Sequence, residues 1–128
     1  MSFDWTQYYQ LSRELLGKPN SSASEEAKQR SAISRAYYAV FNLAADYIVA
    51  VEGDDALPRT KDVHYAVSDY FRRESDKVSR DIADHLYNLR SARNQSDYKT
   101  SISSLRQLAD SSLMRANSAI QLLSKLKR

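Results

Sequence analysis

Apolar positions recur every three to four residues through almost the whole chain, the spacing of one face of an α-helix. The first such stripe is Trp5, Tyr8, Leu11/Ser12, Leu15 and Leu16, which predicts a helix over about 3–17. Asp4 is placed to cap its start, and Gly17 with Pro19 to end it. A polar loop follows over 18–24.

The second stripe is the longest. Ile33, Tyr37, Val40/Phe41, Ala44, Tyr47/Ile48 and Val51 run without Gly or Pro until Gly53. Ser24 stands where an N-cap belongs, and Glu25 and Glu26 suit the positive end of the helix dipole. About 27 residues at 1.5 Å each make a helix of roughly 40 Å, long for a small domain and so the expected central one. Ala32, Ala36 and Ala39 allow other helices to approach it closely.

A second loop covers 52–60, and helix 3 then spans about 61–74 with Val63, Ala66/Val67, Tyr70 and Phe71 on one face. Helix 4 spans about 77–93 with Val78, Ile82, His85/Leu86 and Leu89 facing inward. Residues 94–97 read as a break, because Asn, Ser and Asp prefer caps and turns to helix interiors. Helix 5 then covers about 98–126 with Ile102, Leu105, Ala109, Leu113, Ala116, Ile120 and Leu123. No segment alternates as a strand should. The prediction is one all-α domain over 1–128, an up-and-down bundle of four to five helices joined by short loops around a long helix 2.

Composition narrows the chemistry. The 128 residues include no Cys, two His, two Gly and two Pro. Disulfides, thiol nucleophiles and Cys-ligated metals are excluded, and a site of metal or cofactor is not expected. Neither Gly17 nor Gly53 belongs to a phosphate-cradling loop. No run of 18 apolar residues occurs, and the first ten residues lack the basic start and apolar stretch of a signal peptide, so a cytoplasmic protein without membrane contact is expected. Charge is uneven. Residues 1–58 carry five Lys and Arg against eight Asp and Glu, and residues 59–128 carry fourteen against eight. A polyanion would favour the second half, although a solvated helical surface explains the same pattern.

One position breaks the helix 4 stripe. After Leu89 the next inward residue is Arg93, whose charge must find a partner or reach solvent. Asn94, Asp97 and Tyr98 follow, with Asp97 placed to pair with Arg93 across the predicted turn. That cluster reads either as an ion pair pinning the junction of helices 4 and 5 or as a site. His85 reads as a core histidine, and His64, early in helix 3, as partly exposed. The nine Tyr read mostly as core residues with a polar tip, some of them able to stack on unpaired bases.

The helix 2 segment with Arg30, Arg35, Ala36, Tyr37, Tyr38, Ala39, Phe41 and Ala44 resembles the signature helix of HEPN domains (higher eukaryotes and prokaryotes nucleotide-binding), in their small stand-alone prokaryotic branch. The later run of Leu86, Leu89, Arg90, Arg93, Asp97 and Tyr98 is similar to that branch's second motif, and His64 fits its third helix. The resemblance spans about 25–124. It implies a helical bundle, often a homodimer, and in many members a metal-independent ribonuclease or a toxin paired with a nucleotidyltransferase-type protein. The active motif it implies is Arg, a polar residue, three more positions, then His. Here these are Arg93 and Asn94, while Tyr98 holds the His position.

That departure matters, because His exchanges a proton near neutral pH and an unperturbed Tyr titrates near ~10. Arg90 and Arg93 can hold a phosphate, Asn94 can orient it, and Asp97 supports Arg93. Tyr98 can donate a hydrogen bond but is a poor base. The residues therefore favour a HEPN-type accessory or binding module that contacts RNA or nucleotide phosphate and a partner protein. The alternatives are an active metal-independent endoribonuclease toxin and a purely structural interaction protein.

Overall fold

A computed structural model describes residues 3–17 and 24–126. Five helices and no strands make up these residues: α1 (Thr6–Gly17), α2 (Glu25–Glu52), α3 (Val63–Arg72), α4 (Lys77–Tyr98) and α5 (Leu105–Leu126). The fold is an all-α bundle. Helix α2 is its axis and packs against each of the other four.

The start of α2 is fixed by its cap. Ser24 accepts a hydrogen bond from the Ala27 backbone N–H at 3.1 Å. Ala32, Ala36 and Ala39 are fully buried, the close approach that small side chains permit. Ile33, Tyr37, Val40, Phe41, Ala44 and Ile48 are buried as the stripe requires. Val51 is an exception at 49% exposure, lining an open cleft with Thr6 of α1 and Ile120 and Leu123 of α5. Gly53 then ends α2 at φ 108°, and its N–H donates to Val49 O at 2.8 Å. That backbone region is essentially closed to residues with a Cβ.

The main core joins this stripe to Val67 and Phe71 of α3, Ile82, Leu86 and Leu89 of α4, and Ala116, Ala119 and Leu123 of α5. A smaller cluster of Ile33, Ala92 and Ala109 closes the other end. Ser12 holds α1 down: its buried hydroxyl lies 2.9 Å from Ala32 O and 3.1 Å from Tyr8 O. At the start of α1, the Asp4 carboxylate accepts from Thr6 N, as a cap should. Gly17 is the last residue of α1 itself, and the loop expected after it falls outside the described residues but for Ser24. Among the described residues no helix is long and apolar enough to cross a membrane.

Two expectations are corrected. The break at 94–97 does not exist, since α4 continues through Tyr98. Ser96 turns its hydroxyl back onto Arg93 O at 3.0 Å, a local bond compatible with helix, and the buried face of α4 carries on through Ala92, Arg93 and Ser96. The true connection is 99–104, where Ser104 adopts φ 59°, and Ile102 lies in it rather than in α5. As a result Asp97 does not face Arg93 across a turn. It sits one helical turn further along the same helix.

Candidate functional site on helix α4

Because α4 is continuous, Arg90, Arg93, Asn94, Asp97 and Tyr98 occur at steps of three and four and share one helical face. Arg90, Arg93, Asn94 and Tyr98, with Tyr87 and Lys99, line an open cleft of about 780 Å³. Asp97 is not part of its lining. It stands beside Arg93, its carboxylate 3.4 Å from the guanidinium.

Arg93 is 8% exposed, which makes it a buried cation. Its guanidinium lies 5.5 Å from the ring centroid of Tyr37 and 5.3 Å from that of Tyr38, so the two aromatic faces of α2 supply much of its negative surroundings. The Nε atoms of both Arg93 and Arg90 are buried without a hydrogen-bond partner. Arg90 makes no ion pair with any described residue. A buried and a half-buried cation with one long carboxylate contact between them form a site of net positive charge, and buried donors of this kind are costly unless something accepts from them.

Behind the arginines lies a layer that periodicity alone did not show. The Tyr37 hydroxyl makes a short hydrogen bond to Nδ1 of His64, and His64 stacks on Phe41 at 4.5 Å. Burial pushes the Tyr37 phenol well above its ordinary pKa, outweighing the nearby Arg90 and Arg93, which pull it down. Burial, and then the same two arginines, hold the His64 pKa below its ordinary value. With the phenol un-ionised and the imidazole neutral, we assign the phenol O–H as donor and the ring proton to Nε2. His64 is half-buried, as expected, but its partner came from another helix.

Arg30, the first residue of the helix 2 motif, proves to be an end cap for α4. Its terminal nitrogens donate to Ser96 O at 2.6 Å, Lys99 O at 2.8 Å and Thr100 O at 3.2 Å, and its Nε to Glu26 at 3.0 Å. A cation suits the negative end of that helix. Arg30 thus ties the end of α4 and the start of the α4–α5 connection to α2.

Tyr98 is 77% exposed, with its phenol in the cleft mouth and no described base against it. His85 is half-buried on α4, on the side where Arg115 of α5 approaches Nδ1 at 3.2 Å. No three His, Asp or Glu side chains converge on a metal-binding point among the described residues. No family model matches the chain, and no curated protein or solved structure shows significant similarity to it.

Proposed function

We propose that this chain is a HEPN-type binding module that holds the phosphate of RNA or a nucleotide on the α4 face and acts with a partner. The observation that carries the reading is the pair of unpartnered, buried Nε donors of Arg90 and Arg93 at the wall of an open cleft. An oxyanion in the cleft offsets both charges at once, and a bidentate guanidinium grip is the usual way to hold it. Asn94 and Tyr98 add neutral donors at the rim. The sequence resemblance to HEPN domains supplies the rest of the reading: a second copy across a two-fold axis, and a nucleotidyltransferase-type protein as in toxin–antitoxin pairs. Binding is favoured over ribonuclease action. Tyr98 stands open to water, and the His64 ring belongs to the layer behind the arginines.

The test is anisotropy titration of a labelled single-stranded RNA 12-mer with EDTA present. Arg90, Arg93 and Lys99 line the cleft, and three phosphate contacts at ~0.7 each give a loss of about twentyfold in affinity between 50 and 200 mM salt. Arg93→Ala should lower the slope by ~0.7, whereas Arg59→Ala, in the α2–α3 loop, should leave it unchanged. Equal losses from both substitutions, or no binding by the unaltered protein at low salt, would overturn the proposal.

A further inference from the structure

A second cleft, of about 380 Å³, opens on the α1 side of α2 and includes Trp5, Tyr8, Ser34, Arg35, Tyr38 and Asn42 in its lining. The sequence motifs did not single it out as a site. We infer that it seats one unpaired base, and that the ligand of the α4 face is therefore single-stranded RNA rather than a free phosphate or a duplex. The inference rests on the phosphate reading above.

Tyr38 joins the two sites. Its ring lies against the Arg93 guanidinium at 5.3 Å and it also lines this second cleft. The base seat and the phosphate grip are thus one side chain apart, as a base and its neighbouring phosphate are along a single strand.

The lining suits a base in its chemistry as well as its place. The cavity is at the small end for a ligand site. Trp5 and Tyr8 meet edge to face at 5.0 Å, and Phe3 packs edge-on against both, so the cleft is walled by a cluster of aromatic rings. Arg35 lies over the Tyr8 ring at 5.8 Å, and its Nε donates to Ser31 at 3.2 Å. The remaining guanidinium nitrogens have no partner among the described residues, so they are free to meet a base edge or a phosphate. Asn42 donates one Nδ2 hydrogen to Tyr38 O at 2.8 Å. Its carbonyl oxygen and second N–H remain, an acceptor and a donor side by side, the pair that reads a base edge. Aromatic faces beside fixed cations are how single strands are held, and a base must be unstacked to enter.

Trp5 is the only tryptophan in the chain, so excitation at 295 nm reports this cleft without any substitution. The RNA 12-mer should quench Trp5 and bind about tenfold or more tightly than an abasic phosphodiester chain of equal length, the scale of one stacked base. Tyr8→Ala should abolish that advantage and leave the salt slope intact, and Asn42→Ala should reduce it if the Tyr8 variant fails to fold. Equal affinity for RNA and the abasic chain would overturn the base seat while leaving the phosphate grip standing. Binding of neither would overturn the phosphate reading. A preference for RNA that survives both substitutions and leaves Trp5 unquenched would place the base elsewhere and overturn the inference. Quenching by an unphosphorylated peptide but not by RNA would do the same, in favour of a protein ligand.

Discussion

Arg30 and Arg93 are both arginines at the inner face of the bundle, and their removal should have opposite consequences. Arg30 donates to three backbone carbonyls, that of Ser96 in the last turn of α4 and those of Lys99 and Thr100 just beyond it. Hydrogen bonds from a charged donor are worth ~1.5–3 kcal/mol each where water cannot replace them. Carbonyls at a helix end can turn to water in part, so Arg30→Ala should cost about 2–3 kcal/mol in all. For a chain of this size that is roughly 8–12 °C of Tm.

Arg93 has a different balance. Its ion pair is long, to a carboxylate one-third exposed, and is worth under ~1 kcal/mol. The two ring contacts contribute ~1–2 kcal/mol together. Against these stands a buried donor with no partner, a penalty of ~1–3 kcal/mol, beside a second cation, the half-buried Arg90. Arg93→Ala should therefore change stability by no more than ~1 kcal/mol, or about 4 °C. Thermal and urea unfolding followed by circular dichroism at 222 nm measures both variants. A loss for Arg93→Ala that equals that for Arg30→Ala, or exceeds ~8 °C, would show that the arginine is held by its neighbours and not waiting for a ligand. Joined to an absence of RNA binding, that result would make the cluster a structural junction.

Two further outcomes test the fold and its titration. Gly53→Ala should cost ~1–3 kcal/mol through backbone strain alone, since no heavy atom lies within 4 Å of the added Cβ; an unchanged urea midpoint would refute the assigned conformation. His64, facing Tyr37, Tyr38, Arg90 and Arg93, and His85, facing Arg115, Asp81 and Asp84, both have pKa values lowered in the fold, mainly by burial. The unfolded chain therefore binds more protons below about 6.5, so stability should fall as pH drops from 7.5 to 5.5, and less so in His64→Gln; a flat Tm over that interval would refute it.

Much of the bundle was legible because burial imposes a period. Ala36, Tyr37, Val40 and Ala44 on α2, and Ile82, Leu86 and Leu89 on α4, are where their spacing put them. The same stripe exposed Arg93 as an anomaly before any contact was known. What failed was a choice between two polar runs. Residues 94–97 and 99–104 both favour turns locally, and the difference lies in Arg30, whose carbonyl partners are 66 to 70 residues away. Local preference has no access to such a partner. The Tyr37–His64 bond was hidden for the same reason, as it joins two helices across a loop. Moving the break also changes what the cluster is. At a turn, Arg93, Asn94 and Tyr98 would shift with every adjustment of the loop. On a continuous helix, Arg90 and Tyr98 are held about 12 Å apart with Arg93 and Asn94 between them. A row of donors at fixed spacing, unlike a hinge-bound cluster, is the geometry that the proposed grip on the repeating phosphates of a strand requires.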